Sequence, residues 1–101
     1  MIKFLIIGLG TIGYRHFESL YKCNEYFSID CYDISEQSIS RVKNYVNLKK
    51  KKHKVKFLRS LNKLDKKYDF LIHATSSNIR LKTLKKILKN TNIKFCILEK
   101  L

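Results

Sequence analysis

A three-layer α/β/α domain, built on a doubly wound parallel sheet of about five strands in the order 3-2-1-4-5, is the fold this sequence predicts. Three observations predict it. Apolar, β-branched runs alternate with segments of helical periodicity. Those runs are nearly continuous, as in strands buried on both faces. The length, 101 residues, allows one domain and one modest core, and excludes a complete two-domain dehydrogenase, a large barrel or a long repeat array.

Ile2 to Ile7, Ile-Lys-Phe-Leu-Ile-Ile, is the first strand, and Gly8 to Gly13 is the turn that leaves it. Ile12, His16, Phe17, Leu20 and Tyr21 then recur at helical spacing, with Asn24 as a stop. Phe27 to Asp33 is the second strand. Ser35 caps a helix in which Ile39, Val42 and Val46 share a face. The lysine-rich stretch 49–56 is a charged connection, Val55 to Leu58 a short third strand, and Leu61 and Leu64 mark a single helical turn. Asp69 to Thr75 is the fourth strand. Ser77 or Asn78 opens a third helix with Leu81, Leu84 and Leu88 on its apolar face, and Ile93 to Leu98 is the last strand.

Lys and Arg number 22 against 8 Asp and Glu, a formal net charge of +14. A balance of this size raises anionic partners: nucleic acid, an anionic membrane or an anionic small ligand. The abundance of Lys, Asn, Ile and Tyr, with no Pro or Trp, also fits the codon bias of an AT-rich genome. The run 49–56 holds six lysines, but no groove-fitting helix or stacking aromatic module surrounds it, so a solvated connection is the expectation and specific nucleic-acid binding is not. Cys23, Cys31 and Cys96 are odd in number, lack C-x-x-C spacing and fall on apolar segments. Reduced, packed thiols in a cytoplasmic protein are expected, with no metal site. The apolar run Phe4 to Leu9 is too short to span a membrane.

Gly8, Gly10 and Gly13 form G-x-G-x-x-G between the first strand and the first helix, and they are the only glycines in the chain. In a dinucleotide-binding Rossmann domain the first glycine makes the tight turn. The second leaves room for a pyrophosphate, and the third lets helix and strand pack closely. The helix N-terminus beyond offers N–H groups and a positive dipole end to phosphates. Asp33 ends the second strand twenty residues past Gly13. There a carboxylate accepts the hydrogen bond of a ribose 2′-hydroxyl and repels a 2′-phosphate. Ile34, Ser35 and Glu36 bring no cation to offset that repulsion, so NAD is expected over NADP. The other reading of Asp33 is a helix-capping acid. His16 is expected to pack on the sheet and His73 to be a satisfied core histidine.

The segment Ile6-Ile7-Gly8-Leu9-Gly10-Thr11-Ile12-Gly13-Tyr14-Arg15-His16 resembles the opening of the glucose–fructose oxidoreductase/inositol dehydrogenase (Gfo/Idh/MocA) family. Tyr68-Asp69-Phe70-Leu71-Ile72-His73-Ala74-Thr75 is similar to that family's fourth strand, which runs into Thr-Pro-Asn-x-x-His. Here Ser76 stands for the Pro and Arg80 for the His. Leu98-Glu99-Lys100-Leu101 resembles the family's Glu-Lys-Pro, with Leu101 for Pro. The resemblance implies that residues 1–101 are the dinucleotide-binding domain of an oxidoreductase acting on a sugar or polyol, with the C-terminal α/β substrate domain absent and catalysis incomplete without it. It implies a cofactor site of Gly8, Gly10, Thr11, Ile12, Gly13, Asp33, Ala74, Thr75, Ser76, Glu99 and Lys100, with Lys100 reaching the nicotinamide ribose and the substrate as the one catalytic candidate. A separately encoded α/β domain and a second copy of the chain are the protein partners left open. Two rival readings stand beside it: a stand-alone nucleotide-sensing module of the potassium-transport-regulator type, and a basic nucleic-acid-binding domain.

Overall fold

The computed structural model describes residues 1–50 and 53–99, with the side chain of Ser77 excepted. Its elements are β1 (Ile2–Ile7), α1 (Thr11–Tyr21), β2 (Phe27–Tyr32), α2 (Glu36–Lys49), β3 (Lys54–Phe57), a 3₁₀ turn (Leu61–Lys63), β4 (Lys67–His73), α3 (Ser77–Asn90) and β5 (Asn92–Leu98). All four strand pairings are parallel, and the sheet order is β3-β2-β1-β4-β5, as the alternation of strand and helix predicts. No helix among the described residues is long and apolar enough to cross a membrane.

Alternation along each strand divides the core in two. Phe4 and Ile6 of β1 join Phe17 and Tyr21 of α1 and Val42 and Tyr45 of α2 on one face. Leu5 and Ile7 join Leu61 of the 3₁₀ turn, Leu71 of β4 and Ile87 of α3 on the other. Leu5, Ile6 and Leu71 are fully buried, so β1 and β4 are covered on both sides, as their unbroken apolar runs require. Ser35 caps α2, its side chain accepting from the Ser38 N–H at 3.2 Å. His53 pins the return to the sheet: the Phe27 N–H donates to its Nδ1 at 3.1 Å, and its ring stacks on Phe27.

One expectation needs correction. The inner stripe of α3 is not Leu81, Leu84 and Leu88. Leu81 and Leu88 are 62% and 54% exposed, while Ile87 is fully buried and Arg80, Thr83 and Leu84 are partly so. The phase is displaced because Arg80 occupies an inward position, where carbonyl oxygens receive its guanidinium. The apolar β5 is an edge strand, where the predicted order puts it. Phe95 is stacked on Phe70 yet 54% exposed, and Ile97 is 41% exposed, because no described element lies over them.

A polar network closes the sheet near the N-terminal ends of β1 and β4. The Tyr68 hydroxyl donates to buried Asp30 at 2.6 Å, and the Asp65 N–H donates to the Tyr68 oxygen at 3.1 Å. Lys3 Nζ lies 2.5 Å from Asp65 Oδ2, and Lys56 approaches both acids at 3.6 and 3.5 Å. The hydrogen bond from Lys3 is the main reason that the Asp65 carboxyl titrates below its ordinary value of 3.8. A carboxylate with a depressed folded pKa contributes stability that is complete above the unfolded value and is lost as pH falls through the folded one. Lys3→Met is therefore expected to flatten the fall in melting temperature between about pH 5 and about pH 3. Equal slopes in parent and variant would contradict this role.

Candidate functional site

Three backbone bonds carry the sheet past its carboxyl edge and bring its strand ends into one row. The Gly8 N–H donates to the Tyr32 oxygen at 2.9 Å, the Ala74 N–H to the Ile7 oxygen at 2.8 Å, and the Glu99 N–H to the His73 oxygen at 3.0 Å. Chain order reverses direction between β1 and β4, so the turn Gly8–Gly13 sits at the topological switch point. Open α/β sheets bind ligands in the crevice there.

The three glycines of the turn have three different reasons. Gly8 has φ +93°, and a Cβ there would lie 2.5 Å from the Ala74 oxygen. A Cβ on Gly13 would overlap the Gly8 carbonyl oxygen, so α1 approaches β1 only with glycine at that position. Gly10 is different. Its φ of −68° and ψ of −162° suit any residue, and a Cβ there meets nothing within 4 Å. Packing explains Gly8 and Gly13; it does not explain Gly10, which faces an open crevice. Gly10 is also the N-cap of α1, with no side-chain cap and no acid in the first turn, so the positive end of the helix is left to the crevice.

Asp33 lies beside this turn. Its Oδ2 accepts from the Leu9 N–H at 2.6 Å and its Oδ1 from the Ser35 N–H at 2.8 Å. The acid therefore fixes the glycine turn and the entry to α2 together. Each oxygen keeps a further lone pair for a ligand hydroxyl. Arg41 supports the turn from α2, donating to the Leu9 oxygen at 3.1 Å and lying over the Tyr14 ring.

A cleft of about 340 Å³ opens beside Gly10 and Asp33, within the ~300–1,000 Å³ typical of small-molecule sites. Of the residues expected from sequence, Gly8, Gly10, Asp33, Ala74, Thr75 and Ser76 line it. Its apolar walls were not foreseen: Ile7, Ile34, Leu61 and Ile79. Ile34 is 81% exposed, an isoleucine in water directly after the acid. That apolar residue within Asp-Ile-Ser was the available signal. Thr11 lines a separate polar groove with Ser38 and Arg41, Ile12 is half-buried on α1, and Gly13 is buried behind the turn. Lys100 lies outside the described residues, as do Lys51 and Lys52 of the basic run.

Glu99 is not in this cleft. It stands at the end of β5, its Oε1 2.6 Å from His16 Nε2. His16, expected to pack on the sheet, instead reaches across from α1 to meet it. Arg80 donates to the main-chain oxygens of Thr75, at 3.2 Å, and of Glu99. His73 is buried as expected but only half satisfied. Its Nδ1 lies 3.1 Å from Thr75 Oγ1, while Nε2 meets no polar partner among the described residues. Burial, and then the Arg80 charge, hold its pKa below the ordinary value, so the ring is neutral near pH 7. The three cysteines are free, but only Cys31 is packed, its thiol pKa raised by burial; Cys23 and Cys96 are exposed, against the expectation of packed thiols.

No family model matches this chain, and no curated protein matches it.

Proposed function

We propose that the chain binds a nicotinamide dinucleotide in the switch-point crevice, as the nucleotide-binding part of an oxidoreductase acting on a sugar or polyol, and that it is catalytically incomplete by itself. The observation that carries the binding reading is Gly10. In a chain with three glycines, the one that packing does not require stands bare where a pyrophosphate would approach the backbone. The oxidoreductase and substrate class rest on the resemblance of the Gly8–His16 and Leu98–Lys100 segments to the family named above.

Each residue then has a task. Gly10 admits the diphosphate, and the uncapped first turn of α1 faces its charge. Asp33 accepts the hydroxyls of the first ribose. Ile34 and Ile79 flank the base in the apolar cleft. The bound dinucleotide supplies hydride exchange with a substrate carbon. Among the site residues, Lys100 is the candidate for the substrate end. A solvated lysine stays protonated near pH 7 and is a poor base, so no turnover on sugars or polyols is expected from the isolated chain.

The +14 charge draws any polyanion, which makes cofactor preference informative only when that field is screened. In about 0.3 M salt, NAD is expected to bind at least about tenfold more tightly than NADP, because a 2′-phosphate would meet the Asp33 carboxylate. Calorimetric titration of both measures this; equal affinities would remove Asp33 from the ribose. Saturable NAD binding that also raises the melting temperature supports the reading, since a ligand of the folded state must stabilise it.

A further inference from the structure

The sheet has two edges, and they are built differently. β3 is four residues long and sets lysines at alternate positions, Lys54 and Lys56. Such charge keeps an edge strand from pairing with another chain. β5 is seven residues long, Asn-Ile-Lys-Phe-Cys-Ile-Leu, with one lysine and no proline. The Glu99 N–H donates inward to the His73 oxygen, and Leu98 stands in register with His73. By alternation, Cys96 and Leu98 turn their own N–H and C=O groups outward, where no described strand pairs with them. Both faces beside this edge are apolar. Phe95 and Ile97 are exposed on one face. On the other, α3 presents two unlike flanks. Ile79 and Thr83 line the cleft beside Gly10. Leu81, Leu84 and Leu88, at i, i+3 and i+7, form the opposite flank toward β5, where Leu84 and Ile93 pack on the same core cluster. Leu81, Leu88 and Leu98 are exposed. α3 carries four lysines, Lys82, Lys85, Lys86 and Lys89, and none falls on the leucine flank. In a chain of net charge +14, this apolar strip is a surface from which lysine is nearly excluded.

We propose that this surface binds a second copy of the chain, with β5 pairing antiparallel to β5 about a two-fold axis and joining the two sheets into one. A two-fold axis brings the same patch against itself. An axis perpendicular to the sheet keeps Phe95 and Ile97 of both copies on one face and both leucine flanks on the other. Charge selects this occupant. A nucleic acid or an acidic protein would seat on lysines, which the strip lacks, whereas two chains of charge +14 meet here with the least repulsion. Lys94 is the one lysine of β5, and its ammonium lies over the Phe95 ring. The strip is about 23 Å long, for seven residues of strand, and about 20 Å deep with a helix on one face. That footprint is at the lower end of specific interfaces, so association in the micromolar range is expected. Antiparallel pairing sets the carboxyl ends of the two sheets at opposite ends of the joined sheet, which leaves both switch-point crevices open. The inference stands independently of what those crevices bind.

The test is sedimentation equilibrium of the whole chain from about 1 to about 300 μM, a range that brackets such an interface, in about 0.05 M and about 0.3 M salt. The mass is expected to double across this range. The dimer should tighten several-fold at the higher salt, because screening removes repulsion between like charges. Ile97→Lys on β5 and Leu88→Lys on α3 each place a cation in the strip from a different element. Both positions are exposed in the single chain, and lysine is as good a helix former as leucine. Each variant is expected to weaken the dimer at least about tenfold, the cost of one desolvated cation without a partner, while the melting temperature of the dilute chain stays within a few degrees. Hydrogen exchange supplies a second reading: the Cys96 and Leu98 amides should slow as the concentration rises. A chain that stays single throughout leaves the edge to some other polypeptide and overturns the proposal. Doubling that neither variant weakens, or that leaves these two amides unprotected, places the interface elsewhere and overturns it too. Association that weakens with salt is held by charge and equally contradicts it.

Discussion

Gly13→Ala is expected to cost about 3 kcal/mol or more of stability, an overpacking penalty at the upper end of the usual range because the obstacle is main chain. The added Cβ would overlap the Gly8 carbonyl oxygen, and Gly8 cannot move aside. Its N–H is bonded to the Tyr32 oxygen, and the space beside it, where a Cβ would stand, is already taken by the Ala74 carbonyl. Relief requires α1 to withdraw from β1. That would pull Phe17 and Tyr21, both essentially fully buried, away from the sheet. At about 4–8 °C per kcal/mol for a domain of this size, the melting temperature should fall by at least about 12 °C. Gly10→Ala is the internal control. With φ −68° and open space around it, it should change stability by less than about 1 kcal/mol, the lost unfolded-state entropy offsetting the weaker N-cap. Thermal unfolding of the two variants by circular dichroism checks the contrast, and equal losses would contradict the geometry of the turn.

Gly10→Val is expected to weaken nucleotide binding at least about a hundredfold while the protein stays folded, since that position serves close backbone approach to a pyrophosphate. Valine suits the extended φ and ψ of this position, and the added Cβ meets no protein atom within 4 Å. Its methyl groups stand where the diphosphate must approach the backbone. The loss therefore falls on binding and spares stability, the reverse of Gly13→Ala. A variant that binds as tightly as the parent would show that the crevice beside Gly10 is not used.

The strand order was legible because apolar, β-branched segments such as Phe4–Ile7 and Phe70–Ile72 alternate with helical periodicity along the chain. The glycine turn was legible because its spacing answers to local geometry: a positive φ at Gly8 and a close approach at Gly13. The inward face of α3 was not. Hydrophobic periodicity assigns leucines to the core, and Arg80 occupies that stripe because the carbonyls of Thr75 and, across the sheet edge, Glu99 receive its guanidinium. The His16–Glu99 pair was hidden for the same reason: 83 residues separate its members, and the sheet alone brings them together. The edge position of β5 followed from the predicted order, but the exposure of Phe95 did not, since an apolar strand does not say which of its faces is left uncovered. Asp33 was found by spacing, but its bonds to the Leu9 and Ser35 amides were not, because they depend on how the turn folds over the end of β2.

The central claim is that the crevice between Gly10, Asp33 and Ala74 receives a dinucleotide. The most direct measurement is titration of isotope-labelled protein with NAD in about 0.3 M salt, followed through its backbone amide resonances. The account predicts saturable shifts confined to Gly8 through Gly13, Asp33 to Ser35, Ala74 to Ser76 and the neighbourhood of Glu99, with the amides of β3 unmoved. Shifts that scatter over the exposed lysines and vanish with salt, or no shifts at millimolar NAD, would contradict it.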